Sequence, residues 1–174
     1  APLATAPERI SARTVLWAAG VKASPLAESL NTPRDEWDRV YVEPDLSIPD
    51  YPELFVVGDL ARVNHDGQPV PAMAPSAIQE GRHAANMIQA VLRGYPRTSF
   101  HYKDRGMLAA IGRRGGVASI YGRSFTGLIA WFLWLVVHIA SLIGFRNRLA
   151  VLFEWSWAYL THQRSARVIL SQMR

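Results

Sequence analysis

The residues of this chain best placed to do chemistry are Gly58 and Asp59, at the end of the apolar run Leu54-Phe55-Val56-Val57. Four apolar residues, two of them β-branched, predict a short buried strand that breaks at the glycine and sets a carboxylate just past its end. In open α/β sheets ligands sit at that edge. An ionised carboxylate only accepts hydrogen bonds, and its bonds are short and directional, which suits a sugar or ribityl hydroxyl. Gly-Asp is also a common turn dipeptide, so an Asp that merely closes a turn is the competing account. The other chemical candidates narrow quickly. The five histidines show no metal-ligand spacing, and no metal site is assigned. Without cysteine the chain can hold no disulfide, thiolate metal site or cysteine redox pair, which fits a reducing compartment.

The elements that must position Asp59 lie on either side of it. Upstream, Thr14 to Val21 reads as a buried strand ended by small residues, and Ala18-Ala19-Gly20 has no bulk to keep a flat ring or another backbone away. Close packing alone would explain the same composition. Ser24 to Asn31 reads as a short helix, Thr32 to Asp38 as a polar connector, and Arg39 to Glu43 as a strand turned by Pro44-Asp45. A Pro-rich link, Ile48 to Glu53, returns the chain to the run before Gly58. Downstream, Asn64 to Pro69 reads as an exposed polar loop. Ser76 followed three residues later by Gln79 predicts a capping box, with Ala77, Gly81, Ala84, Ile88 and Val91 as the apolar face of a helix stopped at Gly94. Glu80 near its start suits the helix dipole. Free N–H groups at such an end would also favour electron density on a bound ring, although capping alone accounts for Gln79.

The chain is 174 residues long and about half apolar, which bounds it to about one domain with a sizeable core. It opens on Ala1 rather than Met, with no signal peptide in the small, Pro-rich stretch to Pro7, and reads as a fragment. Met107–Gly112 and Gly116–Tyr121 predict a β-hairpin through Arg113-Arg114-Gly115. The stretch from Gly127 to Phe145 differs in kind: 19 residues without a formal charge, apart from what His138 carries, would reach about 28 Å as a helix. By hydropathy it is a membrane-span candidate, and a buried helix of a soluble core is the alternative. Arg146, Arg148, Trp155, Trp157, Tyr159, Arg164 and Arg167 follow, the mixture that settles at lipid headgroups. Leu149 to Leu160 holds Glu154 and suits the interface better than the bilayer interior. The formal charge of +5 is therefore assigned to a membrane surface, since no nucleic-acid-binding motif is present.

Five blocks in order, TVLWAAGV (14–21), LFVVGDLA (54–61), VPAMAPSAIQEG (70–81), YKDRGMLAAIGR (102–113) and Thr126 to Arg148, resemble type II NADH dehydrogenases. The resemblance runs from about Ile10 to the C-terminus and rests on the order of the blocks more than on any one. It implies an α/β fold, the C-terminal part of a Rossmann-like flavoprotein with two dinucleotide-binding domains, with a β-hairpin and C-terminal membrane-associated helices. Residues 1–24 would close the junction of the NADH and FAD domains, 25–122 would complete the FAD domain, and 123–174 would meet the membrane. In that family hydride passes from NADH to FAD, and electrons then go to a membrane quinone without proton pumping.

The resemblance assigns Asp59, after Gly58, to the FAD ribityl chain and sets Ala74 and Pro75, with Ser76 and Ala77, beside the isoalloxazine. It places Ala18, Ala19 and Gly20 near the nicotinamide and flavin. Quinone contacts fall on Pro75, Ile78, Gln79, Trp131 and Trp134. Partners are NADH, a membrane quinone and lipid, with no nucleic acid; a homodimer is compatible. The location implied is the cytoplasmic face of the inner membrane, peripheral or monotopic, with a single span as the alternative. Many members carry Ala-Gln where this chain has Ala74-Pro75, and proline supplies neither an amide side chain nor an N–H. The family's GxGxxG units are absent here, so the chain holds about half of an FAD site and no residue is named as general acid or base. Another two-domain flavoprotein such as sulfide:quinone reductase would need cysteines in this portion. A non-enzymatic membrane-anchored module would need no Gly58-Asp59 before a capped helix.

Overall fold

The computed structural model describes residues 9–161 except 17 and 19. The chain divides into two compact units, Ala1–Tyr102 and Lys103–Arg174.

In the first unit a 3-10 helix spans Pro25–Leu30, where a helix was expected. Ser24 caps it, its Oγ accepting the Leu26 N–H at 3.3 Å, and Asn31 closes it at φ +48°. The connector that follows is organised by Asp35, whose carboxylate accepts the Trp37 and Arg39 N–H groups at 2.9 Å and Arg39 Nε at 2.8 Å. Burial alone would push this carboxyl up, but the bonds from Arg39 and Trp37 and the Arg39 charge hold it below its ordinary value. The anchored loop leads into β1 (Val40–Tyr41), which pairs in parallel with β4 (Ala61–Arg62). Between them, β2 (Ser47–Ile48) and β3 (Tyr51–Phe55) form an antiparallel hairpin about Pro49-Asp50, so the expected Pro-rich link is structured. Proline fixes one turn dihedral and Asp50 takes φ +68°, which reverses the chain in two residues.

Two strand expectations need correction. The run Leu54 to Val57 is laddered only to Phe55; Leu54 is 42% exposed, and burial begins at Val56. Val56 continues extended and donates its N–H to Leu46 O at 3.1 Å. The described residues of 14–21 form no strand, and Val15, Leu16 and Val21 are each more than three-quarters exposed. Trp17 and Ala19 lie outside the described residues. Strand formation needs a ladder partner as well as β-branched composition, and no described segment pairs with this one. The α/β class is thus expressed as small sheets and helices. The core gathers Ala27, Val40, Leu46, Ile48, Val56, Ala61, Val63, Val70 and Phe100.

Residues 64–69, expected as a loop, make a hairpin of β5 (Asn64–His65) and β6 (Gln68–Pro69). Asp66 and Gly67 both take positive φ, the backbone that a two-residue hairpin turn requires. Helix α1 then runs Ala74–Leu92. The capping box is not formed: Met73 is the N-cap and contributes no side-chain bond, while Ser76 sits inside the first turn. Pro75 explains the earlier start, because its fixed φ suits the first turn and its missing N–H costs nothing there. The buried face is consequently Ser76, Glu80, Ala84 and Met87, whereas Ile88 and Val91 are each 47% exposed. Gly94, at φ +75°, ends the helix as expected.

The second unit is a three-stranded antiparallel sheet, β7 (Met107–Ile111), β8 (Gly115–Ile120) and β9 (Arg123–Thr126). The first two strands are the expected hairpin; the third follows a turn in which Tyr121 and Gly122 both have positive φ. Helix α2 (Gly127–Ser141) lies on this sheet with Ala130 fully buried and Ala118 5% exposed. Contact is backbone to backbone at Gly116, where a Cβ would fall 2.7 Å from Trp131 N.

The expected 19-residue helix is broken: α2 has 15 residues, and α3 (Phe145–Thr161) starts after Leu142-Ile143-Gly144. Gly144 at φ +82° and an extended Leu142 end the run, and Arg148 secures the break by donating from Nε to Leu142 O at 2.9 Å. Trp134 stacks on Trp155 at 5.5 Å and Trp131 meets Tyr159 at 5.8 Å, so the helices form an antiparallel pair. Among the described residues no helix is long and apolar enough to cross a membrane.

Candidate functional site

The apolar run delivers the chain to Gly58, which begins a 3-10 turn through Leu60 at φ +69°. A Cβ there would be strained by the backbone and would lie 3.3 Å from Ala77 Cβ, so glycine is what lets α1 settle on the turn. Asp59 follows with its side chain exposed. Asp59 lines a cavity of about 250 Å³ with Gly20, Val21, Lys22, Ala23, Trp37, Arg39 and Ala72. Nothing lies within 4 Å of where a Gly20 Cβ would stand, so the absent side chain leaves open space. Two residues far apart in sequence, Gly20 and Asp59, are thereby brought together.

Other predicted residues do not line this cavity. Ala18 is exposed, and Ala19 lies outside the described residues. Ala74 and Pro75 are exposed in the first turn of α1, and Ala77 faces Gly58. Ser76 is 1% exposed, and its Oγ is buried without a hydrogen-bond partner. Ile78 is 47% exposed, and Gln79 Nε2 donates to Pro75 O at 3.1 Å. Gln79 therefore bonds one turn back along α1 in place of its expected capping role.

Sequence reading missed the partner of this turn. Glu80, 3% exposed, accepts the Gly58 N–H through Oε2 at 2.6 Å. Burial pushes its carboxyl up; the Gly58 bond pulls the other way, and the nearby Asp59 charge pushes up again, with a net rise. Pro75 was the signal that could have found it. A helix started there puts Ser76, Glu80, Ala84 and Met87 on one face. Lys22, Trp37 and Arg39 were also not singled out; Lys22 pairs with Asp38 at 3.1 Å and Arg39 with Asp35 at 2.7 Å.

The second unit holds its own cavity, about 550 Å³, walled by Trp131, Trp134, Leu135, Leu152, Trp155 and Tyr159. Arg113 lies over the Tyr159 ring at 5.3 Å and donates to the Ala158 and Tyr159 carbonyls, while Arg114 Nε donates to the Tyr159 hydroxyl at 3.1 Å. The two tryptophans expected at a quinone thus share one apolar, aromatic chamber. Arg164 and Arg167 lie outside the described residues. Among the described residues no group of three or more His, Cys, Asp or Glu could hold a metal ion.

Asp59, on a glycine turn beside a helix start, and the bare Gly20 share one cavity, where a carboxylate can accept hydrogen bonds from hydroxyl groups. Residues 3–81 match the pyridine nucleotide-disulphide oxidoreductase family, which sets the class, and residues 105–170 match the NDH2 C-terminal domain. The chain is 40% identical over 174 residues to the type II NADH:quinone oxidoreductase NdhA of Mycobacterium tuberculosis, covering 95% of this chain and 36% of that protein. It is 42% identical over 171 residues to the type II enzyme Ndh of the same organism, covering 94% of this chain and 36% of that protein. To the type II NADH:quinone oxidoreductase of Staphylococcus saprophyticus it is 36% identical over 132 residues, covering 75% of this chain and 33% of that protein. The chain belongs to the type II NADH:quinone oxidoreductases, as a piece of their C-terminal portion. It spans about 36% of the length of the mycobacterial relatives.

Proposed function

We propose that this chain is the C-terminal part of a membrane-bound, FAD-dependent NADH:quinone oxidoreductase that carries electrons from NADH to a membrane quinone without pumping protons. The observation that carries the reading is the meeting of Gly20 and Asp59 on one cavity beside α1. Asp59 accepts hydrogen bonds from the ribityl hydroxyls, and the bare backbone at Gly20 lets a flat ring approach. The residues present fit part of the group: about 250 Å³ is less than the roughly 300–1,000 Å³ of a complete cofactor pocket, as expected where other segments supply the remainder. Bound FAD supplies the redox chemistry, taking hydride from NADH and passing electrons to quinone. The first turn of α1, Ala74 to Ala77, would border the ring of a bound flavin.

Quinone contacts are proposed at Pro75, Ile78 and Gln79 in the first unit and, taken separately, at Trp131 and Trp134, which wall the cavity of the second. No general acid or base is proposed among the described residues. Exposed Leu128, Ile129, Phe132, Phe145 and Phe153 suit lipid contact at the cytoplasmic face of the membrane, peripheral or monotopic. Asp59→Ala in the full-length protein carrying this chain should weaken FAD retention by about 1.5–3 kcal/mol, the scale of a hydrogen bond to a charged group. Stoichiometric flavin after extensive dialysis of that variant would remove Asp59 from the site. The isolated chain should be inactive and bind FAD poorly, and submicromolar affinity would contradict a half-site.

A further inference from the structure

We infer that Glu80 is the positioning residue of the Gly58–Asp59 turn, acting through the Gly58 amide and not on any ligand. The inference rests on the flavin reading above and adds to it the group that sets Asp59. Glu80 is 3% exposed, and the described ion pairs give it no cation. A buried carboxylate without a counter-charge is expensive, and an apolar side chain of similar size would cost the fold less. What the carboxylate does at this position is accept the Gly58 N–H at 2.6 Å, across 22 residues of chain.

That bond has a geometric consequence. The peptide plane between Val57 and Gly58 is fixed from one side by Glu80, while Ala77, in the same helix, stands where a Cβ at Gly58 would come within 3.3 Å of its own Cβ. Gly58 could otherwise adopt a wide range of backbone angles, and each would send Asp59 in a different direction. With the amide held, φ stays at +69° and Asp59 stays at the cavity that it lines with Gly20. Glu80 itself does not line that cavity. Its effect passes through one backbone amide, so it should depend on an acceptor oxygen at the right distance and not on a negative charge.

The test uses the full-length protein carrying this chain, as wild type, Glu80→Gln, Glu80→Met and Glu80→Leu. Two readouts are taken: FAD affinity of the reconstituted apoprotein, and hydrogen exchange of the peptide covering residues 57–61 without FAD. Gln keeps an acceptor oxygen, so affinity within about threefold of wild type and protected exchange are expected. Met and Leu fill the space without an acceptor. Their exchange should be faster by tenfold or more and FAD affinity lower by about tenfold, with the melting temperature held. Unchanged exchange in a folded apolar variant would overturn the inference, as would a Gln variant that loses FAD as far as Met does. Should neither apolar variant fold, the Gln variant still decides: protection with retained FAD upholds the clamp, and loss of either removes it. Asp59→Ala run alongside separates the two claims. If it keeps its flavin, the flavin reading fails; if it loses flavin while Glu80→Met keeps both flavin and protection, only the inference fails.

Discussion

Gly58 donates its N–H to Glu80 Oε2 at 2.6 Å, and the charge that acts on that carboxyl is another carboxylate, Asp59. Burial is the largest influence and raises the Glu80 value; the Gly58 bond lowers it and Asp59 raises it. A carboxyl whose folded value lies above its unfolded one favours folding in its protonated form. Its stabilising contribution is complete below about pH 4.3 and is lost as pH rises through the folded value. Glu80→Gln removes that titration and keeps the acceptor. Its melting temperature at pH 7 should therefore equal or exceed that of the wild type, and the advantage should shrink toward pH 4. An advantage that grows toward low pH would mean that Glu80 is held ionised.

Asp45 should behave in the opposite sense. Burial pushes its carboxyl up, but bonds from the Ser47 hydroxyl and amide and from Arg97 hold it below the ordinary value. Stability from a lowered carboxyl is present above the unfolded value, near pH 3.9, and is lost as pH falls through the folded one. Asp45→Asn should cost about 1–3 kcal/mol at pH 7, because its amide keeps an acceptor for Ser47 but puts a nitrogen where Oδ2 accepts from Arg97. The difference from wild type should narrow below about pH 3.9, read from urea melts at both pH values. An unchanged gap there would assign the effect to packing.

How much of this was legible in the sequence depends on whether local rules or partners decide. Ser24, Gly94 and the β7–β8 hairpin obey rules a few residues long, and each ends its element where expected. Thr14 to Val21 has strand composition, but composition states what a segment needs and not what supplies its hydrogen bonds. Ser76 and Gln79 imitate a capping box with the right spacing, yet Pro75 moves the helix start and rotates the buried face. Only Ala84 belongs to both the expected and the observed face. Glu80 was legible as a helix residue and illegible as a clamp, because its partner is 22 positions away. The Gly127–Phe145 run was uniform in hydropathy, so its break at Gly144 shows in dihedral needs and not in polarity.

At Gly116 the sheet and α2 touch through backbone. An added Cβ would fall 2.7 Å from Trp131 N and 2.9 Å from Ala130 C, neither of which is a flexible side-chain end. Gly116→Val should destabilise the second unit by at least about 1–3 kcal/mol, the usual cost of overpacking. Thermal melts followed by tryptophan fluorescence would report it, since Trp131 and Trp134 are on the displaced helix. A melting temperature within a degree of wild type would show that α2 can lift without loss.

Pro75 has neither a side-chain donor nor an N–H and stands exposed in the first turn of α1. Pro75→Gln would restore an amide at the proposed ring edge while removing a favourable first-turn proline, at a helix cost of under about 1 kcal/mol. Quinone kinetics should change several-fold, with reduction of the bound flavin by NADH nearly unaltered. Stopped-flow traces with the reverse pattern would place residue 75 on the nicotinamide side.

The membrane prediction follows from the break in the apolar run. At 15 residues α2 reaches about 22 Å, short of a hydrocarbon core of about 30 Å. Antiparallel α3 brings the chain back toward the side from which α2 starts. A tag placed after Arg174 should therefore remain on the same side as the first unit, and protease added from the opposite side of sealed vesicles should leave it intact. Removing the whole helical pair is a poor test of attachment, because Ala130 and Gly116 show α2 closing the sheet's core. Substituting exposed apolar residues is cleaner. Phe132 is 58% exposed and Phe153 73%, so each can change without opening that core. Serine at both positions removes about 1.5–3 kcal/mol of lipid burial apiece and should shift much of the full-length protein into the soluble fraction with its melting temperature held. A double variant that pellets with membranes as completely as the wild type would move the contact to another surface.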